Sequence, residues 1–321
     1  MKLTRGSRVL VSALDWGLGH ASRTSAIVST LRGRGCTVTL AGSGRSLDLL
    51  SADHPDLPAL RLASFSPRLS RGRRQWVKIG LQVPMFLWRI LTEHWRTRRM
   101  VDSLAPDLIV SDNRYGVWDG RCRNVLVCHQ LRPKIGEGCP AWVESFVSAV
   151  LRRLMQRFDA VLVPDVRIGG LSGSLSAGGA QGLPVHCVGL LSRLPTATAE
   201  TETPIEWLGI VSGPEPQRSL FEAELAQRLG REMGRRVIVC GRQPGIRDEA
   251  VDANGVEMVS HATAPRLRSL IEAARHIVCR SGYSTIMDLA ALGRRAELVP
   301  TPGQAEQEYL ARRLRGTDGW T

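Results

Sequence analysis

The chain has 321 residues, 43% of them hydrophobic, and a net charge of +13 carried almost entirely by arginine, because Lys2, Lys78 and Lys134 are its only lysines. That length suits two domains of about 150 residues, and the apolar fraction excludes wholesale disorder. So basic a chain favours a polyanionic partner: nucleic acid, an anionic membrane face or a phosphorylated substrate.

Short apolar runs alternate with helix-period segments almost throughout, the pattern of a parallel sheet wound with helices. Strands are expected near 9–13, 38–41, 108–111, 125–128 and 160–163, with helices near 20–32, 75–103 and 141–157. The stretch RIGGLSGSLSAGGAQGLP that follows is dense in glycine and serine and reads as a long mobile loop. One more strand near 185–188 precedes LLSRLPTATAETETP, a polar linker with two prolines. The chain then restarts with a strand near 207–211, the turn SGPEP and a helix near 217–230. Strands near 237–240, 256–259, 276–279 and 296–299 follow, with helices near 265–274, 283–292 and 304–314. The expected organisation is α/β: a first domain over 1–188, a linker over 189–205 and a second domain over 206–321. Ligands in such folds sit at the carboxyl ends of the strands.

The seven cysteines are odd in number and form no CxxC pair. They read as reduced core thiols of a cytosolic protein, neither zinc ligands nor a disulfide frame. The first apolar run is too short for a signal-peptide core, and no apolar stretch approaches the ~20 residues of a membrane span. A cytoplasmic protein, soluble or peripheral on a membrane, is expected.

The first strand runs into DWGLGHASR, two glycines and a histidine with a helix starting on top of them. A glycine turn feeding a helix N-terminus suits a phosphate. The spacing is G-x-G-H, not G-x-G-x-x-G, and no acid ends a second strand about 20 residues on, so an ordinary dinucleotide site is excluded. A histidine at a helix N-terminus, where positive charge is disfavoured, is suited to take a proton, although His20 also reads as a simple helix cap. SDNRYG ends a later strand with Asp112, Arg114 and Tyr115, and CHQLRP ends the next with His129, Gln130 and Arg132. Polar residues at the ends of neighbouring parallel strands converge on one site.

The C-terminal stretch VCRSGYSTIMDLAALGRRAELVPTPGQAEQEYLARRL has a strand, a Ser281-Gly282 turn and a helix opening at Ser284 and Thr285. Main-chain N–H groups at such a turn can hold a diphosphate. Asp288, a turn further in, can accept from two ribose hydroxyls, and Gln304 and Gln307 can bond sugar hydroxyls. Each alone is also an ordinary cap or surface residue.

This stretch resembles the donor-binding half of glycosyltransferase family 28, which includes the enzyme that adds N-acetylglucosamine to a lipid-linked cell-wall precursor. The resemblance is specific over 279–314 and 15–23 and looser elsewhere. It implies a GT-B fold, two Rossmann-like parallel-sheet domains facing across a cleft, with the donor held mainly by the second. Ser212 and Gly213 resemble the family's glycine-rich loop near the donor phosphates, and Ser281, Gly282, Ser284 and Thr285 its phosphate-contacting turn. Asp288 stands where the family has a ribose-binding glutamate, and Gln304 and Gln307 where it has adjacent sugar-contacting glutamines. Gly17, Gly19 and His20 resemble its glycine-glycine-histidine loop facing the acceptor. Arg114, Tyr115, His129 and Gln130 are the further acceptor-binding candidates, and the family's returning C-terminal helix has no counterpart before Thr321.

The implied function is inverting transfer of N-acetylglucosamine or a related hexose from a UDP-sugar, the substrate, to a hydroxyl of a lipid- or glycan-linked acceptor. No cofactor is expected, and no metal, since the chain lacks an Asp-x-Asp motif. His20 or, second, Asp112 would be the general base. A UDP-sugar 2-epimerase or hydrolase and a non-catalytic partner subunit fit the same fold. The segment RGRRQWVKIGLQVPMFLWRILTEHWRTRRM sets Arg71, Arg73, Arg74, Arg96, Arg98 and Arg99 around Trp76, Trp88 and Trp95. It reads either as a helix pair buried against the domain and kinked at Pro84 or as an anchor for an anionic membrane surface. No nucleic-acid module is recognisable, so no nucleic-acid partner is expected.

Overall fold

A computed structural model of the chain describes residues 3–15, 18–63, 75–135, 139–177, 182–194, 201–242, 249–252 and 254–321. Among these residues the chain divides into two compact units, Met1–Leu191 and Ser192–Thr321. The first runs β1 (Arg8–Ala13), α1 (Leu18–Gly33), β2 (Thr37–Gly42), α2 (Gly44–Asp53), β3 (Ala59–Arg61), α3 (Gln75–Leu104) and β4 (Leu108–Asp112). It continues through β5 (Arg123–Val127), α4 (Ala141–Met155), β6 (Ala160–Val163), α5 (Ser174–Ala177) and β7 (Val185–Cys187). Its seven strands pair in parallel in the order β3-β2-β1-β4-β5-β6-β7.

The reason for this architecture is visible in β1. Val9, Leu10 and Val11 are all buried, and a strand apolar on both faces must be covered on both. Val9 and Val11 pack with Ala21 and Val28 of α1 and with Leu47 and Leu50 of α2. Leu10, on the other face, packs with Ile109 and with Val101 of α3. Because β1 has β2 on one side and β4 on the other, the order reverses there. The loops leaving β1 and β4 therefore part, and a crevice opens at the carboxyl edge.

The second unit repeats the device. It runs β8 (Ile205–Ile210), α6 (Gln217–Leu229), β9 (Arg236–Val239), β10 (Glu249–Val251), β11 (Glu257–Val259), α7 (Ala264–Ala273) and β12 (Ala274–Arg280). Then come α8 (Tyr283–Ala291), β13 (Glu297–Val299) and α9 (Ala305–Leu314). The six-stranded order is β10-β11-β9-β8-β12-β13, parallel except for the edge strand β10. Here the reversal lies between β8 and β12. Ser192 and Glu202, inside the stretch expected as linker, bond to Asp288 and Arg235 of this unit.

Three local features depart from the sequence expectation. Helix α2 and strands β3 and β10 had no predicted counterpart. The start of α2 is held by the Asp15 carboxylate, which accepts from Ser46 N at 3.2 Å, a cap supplied by a residue 31 positions away. Residues 167–177 of the expected mobile loop form ordered structure instead. The buried Asp165 carboxylate accepts from Val166 N, Leu171 N, Ser172 N and Ser172 Oγ at 2.7–3.1 Å, and each such charge-assisted bond holds the loop more firmly than a neutral one. Helix α3 is a single 30-residue helix with Pro84 inside it. All seven cysteines are free thiols, of which Cys36, Cys128, Cys240 and Cys279 are buried and Cys187 is exposed.

Candidate active site

The crevice between β1 and β4 is occupied by charge. Asp112 ends β4 beside Ala13 of β1, and only 1% of it is exposed. Burial alone would push its carboxyl up. The Arg23 charge and then His20, with the hydrogen bonds both make, outweigh burial and hold it well below the usual carboxylate range. Asp112 Oδ2 accepts from Arg23 Nε at 2.6 Å and from Thr24 Oγ1 at 2.9 Å. Its Oδ1 accepts from Arg23 Nη2 and lies 3.0 Å from His20 Nδ1. Arg23 is equally buried, and its Nη1 donates to His129 Nδ1 at 3.0 Å. Two histidines, one carboxylate and one guanidinium thus share one pocket of the first unit.

His20 stands in the first turn of α1, partly open to solvent at 14%. Its Nδ1 lies between the Asp112 acceptor and the Arg23 donor, Nη2, at 2.8 Å. With the proton on Nδ1 the ring donates to Asp112, and Nε2 carries the lone pair. The other tautomer accepts from Arg23 and leaves Nε2 a donor. Only the first can take a proton at Nε2.

This geometry corrects four sequence assignments. Asp112 is a poor base, because a buried, fully bonded carboxylate with a lowered pKa has little affinity for a proton; it orients His20 instead. Arg114 does not face an acceptor. Its side chain is buried and donates to Glu93, to Ala13 O at 3.3 Å and to Leu62 O and Ala63 O at 3.0 and 2.9 Å. Tyr115 is a core side chain, its hydroxyl 3.3 Å from Asn113 Oδ1, and burial keeps its phenol far above the usual range. Gln307 is buried, with Oε1 accepting from Thr301 N at 2.8 Å, so it braces the Thr-Pro-Gly loop. Of the remaining acceptor candidates, His129 joins the cluster, Gly19 lies in the first turn of α1, and Gln130 is half-buried next to His129. Gly17 lies outside the described residues. Arg23 and Thr24 were missed, although an arginine one turn from His20 among small polar residues was the available signal. Cys128, beside His129, is no rival nucleophile, since burial pushes its thiol up to about 11.

In the second unit the candidates gather at the other reversal. Ser212 and Gly213 follow β8, and Gly213 has φ +110°, a backbone open to glycine and hardly to other residues. Ser281 and Gly282 follow β12, with Gly282 at the N-cap of α8. Ser281 Oγ donates to Gln307 O at 2.8 Å, which holds the turn against α9. Ser284 and Thr285 are half-buried in the first turn of α8, and Asp288 accepts from Ser192 Oγ at 2.5 Å. Gln304 is the N-cap of α9. Arg280, immediately before the turn, was not singled out. It is 3% exposed, donates to Pro300 O at 3.0 Å and stacks 3.9 Å over the Phe221 ring. This edge presents helix N-termini, hydroxyls and one carboxylate, a set suited to a phosphorylated ligand.

Known proteins share the fold and part of the sequence. Residues 235–317 match the glycosyltransferase family 28 C-terminal domain. The chain is 26% identical, across 96% of its length and 81% of the relative's, to the UDP-N-acetylglucosamine--N-acetylmuramyl-(pentapeptide) pyrophosphoryl-undecaprenol N-acetylglucosamine transferase of Chromohalobacter salexigens. The enzyme of the same name from Pseudomonas fluorescens Pf0-1 is 27% identical, with 96% and 83% covered. Among solved structures, Acinetobacter baumannii MurG superposes with a TM-score of 0.53 at 15% identity, covering 97% of this chain and 83% of that one. CalG4, the calicheamicin glycosyltransferase, gives 0.60 at 15% identity, with 97% and 83% covered. The fold is that of the GT-B glycosyltransferases. Within the second unit, residues 235–317 are similar to the family 28 C-terminal domain.

The buried pair makes a prediction about stability. The folded Asp112 carboxyl has a lowered pKa, so its contribution is fully present above the unfolded value of about 3.9 and is lost as pH falls toward the folded one. Asp112→Asn leaves Arg23 buried without its counter-charge and should cost roughly 3–5 kcal/mol near neutrality. Urea melts of both proteins from neutral pH downward should converge below about pH 4. A constant gap between the two curves would show that the pair carries no net charge coupling.

Proposed function

We propose that the protein transfers N-acetylglucosamine or a related hexose from a UDP-sugar to a hydroxyl of a lipid-linked or cell-envelope glycan acceptor, with inversion at the anomeric carbon. The observation that carries this reading is His20, an imidazole held through Nδ1 by a buried carboxylate at the start of a helix. The relatives named above act on a UDP-sugar and a pyrophosphoryl-undecaprenol acceptor, which supports the choice of donor and acceptor class.

The reaction balances on groups the chain supplies. Nε2 of His20 takes the proton of the acceptor hydroxyl as that oxygen bonds to the anomeric carbon. The bond from that carbon to the donor's phosphate oxygen breaks on the opposite face, and UDP leaves with the electron pair. Asp112 stabilises the imidazolium that forms. In this reading no metal assists: the N-terminus of α8 and the loop at Ser212 and Gly213 receive the diphosphate charge. Asp288 binds the ribose, and Gln304 reaches the sugar.

Release of UDP from UDP-N-acetylglucosamine, with and without a lipid extract, tests the assignment. Release is expected only with acceptor. Release without it would mean an epimerase or hydrolase, and none under either condition a partner subunit. His20→Ala should lower kcat by about 10²–10⁴-fold and leave donor binding intact; near-normal turnover would demote His20 to a helix cap.

The donor site has its own test. Asp288→Ala should remove charge-assisted hydrogen bonds to the ribose worth roughly 1.5–3 kcal/mol, read by calorimetric titration with UDP. Unchanged affinity would move the uridine site elsewhere.

A membrane surface completes the reading. Helices α3 and α4 bury Phe86 and Ile90, and Leu151 and Leu154, in one cluster against the sheet. Their outer faces are nonetheless apolar: Trp88, Leu91 and Trp95 are 57–69% exposed on α3, and Trp142 and Phe146 are 72% and 60% exposed on α4. Arg89, Arg96, Arg98 and Arg99 are exposed beside them, whereas Arg71, Arg73 and Arg74 lie outside the described residues, as does the side chain of Trp76. No helix of the described residues is long and apolar enough to cross a membrane. An arginine near an anionic surface contributes about 1 kcal/mol, so binding to anionic vesicles at low salt and release at high salt are expected in co-sedimentation. Binding that is absent at low salt, or that survives neutralising the six predicted arginines, would remove this segment as the anchor.

A further inference from the structure

We propose that Arg23 is the positioning residue of the first unit's site: one buried guanidinium that orients the His20–Asp112 pair and fixes the tautomer of His129. This rests on the reading of His20 as the base. Nothing in the family resemblance assigns Arg23 a role, and three separate elements meet on it: α1 through His20, β4 through Asp112 and the end of β5 through His129.

Arginine donates and never accepts. His129 Nδ1, 3.0 Å from Arg23 Nη1, must therefore accept, and the proton of the neutral ring is on Nε2. His129 is thereby a hydrogen-bond donor through Nε2. The same fork binds Asp112 side-on, with Nε at 2.6 Å on Oδ2 and Nη2 on Oδ1. Nη2 also lies 2.8 Å from His20 Nδ1; with His20 as the base, Nη2 donates to Oδ1 and Oδ1 in turn accepts from His20 Nδ1–H at 3.0 Å. Arg23 reaches all three partners because its donors diverge from one rigid plane. A lysine would keep the charge but not that geometry.

The test uses Arg23→Lys in the full chain, with kcat and donor KM measured alongside ¹⁵N spectra of the histidine side chains. The His129 signals are assigned by their loss in His129→Gln. The expected result is a kcat lower by about 10²-fold, the usual cost of a small misplacement, with donor KM unchanged. His129 should carry its proton on Nε2 in the wild type and a mixture of tautomers in the variant. Wild-type kcat with unaltered His129 signals in Arg23→Lys would overturn the proposal. If the variant fails to fold, the wild-type spectrum decides alone: a proton on Nδ1 of His129 overturns it, and an unprotonated Nδ1 supports it. Full turnover in His20→Ala would sink the base assignment while leaving the His129 tautomer and its dependence on Arg23 to be judged separately.

Discussion

Placing Arg23 and Asp112 at the reversal of the first sheet takes two full charges out of water, and each such transfer costs several kcal/mol. Their mutual attraction offsets that cost only where every remaining donor and lone pair is also bonded. The surrounding residues follow from this requirement. Thr24 fills one position on the carboxylate, His20 another, and His129 accepts what Arg23 has left to give. The result welds α1 to β4 alongside β1 and fixes His20 relative to the strand ends. The position of the imidazole is thus a consequence of satisfying a buried ion pair.

The second unit solves a different electrostatic problem with the same topology. Its reversal lies between β8 and β12. There a glycine turn at Gly213 and the start of α8 at Gly282 offer backbone groups, which carry partial charge and need no counter-ion in the ligand-free state. Ser281 and Gln307 tie that turn to α9 and to the loop before it. A preorganised neutral edge suits a diphosphate, whose own charge arrives with the ligand, whereas proton transfer needs a titratable ring beside a fixed carboxylate.

Arg114 and Glu93 connect the first site to the outer surface. Glu93 sits on α3, whose neighbouring turns expose Trp88 and Trp95. Its carboxylate accepts from Arg114 Nε at 2.7 Å and from Gly116 N at 3.0 Å, so the helix is clamped to the loop that leaves Asp112. At Gly116 an added Cβ would lie 2.5 Å from Ile90 O, so only glycine permits that approach of loop to helix. The helix proposed to meet the membrane is thereby fixed directly to the strand end that carries Asp112.

Much of this was legible along the chain. Periodicity located the strands and helices of both sheets, because a parallel strand buried on both faces is apolar without interruption, as in RVLVSAL. The glycine turns, His20 and the Ser281–Asp288 stretch were visible because turns and helix starts depend on neighbouring residues. Helix α2 and the ordered loop around Asp165 were not, since the carboxylates that organise them act through folded geometry. The same limit explains Arg114, Tyr115 and Gln307, which read as ligand-contacting groups and proved to be buried side chains bonded within the fold. The sequence by itself determined the fold class and the residue types available at the two strand ends. Only the tertiary structure decided that Asp112 is buried and bonded to His20 and Arg23, with its pKa held low, because charge state and hydrogen-bond partners are set by which side chains burial brings together.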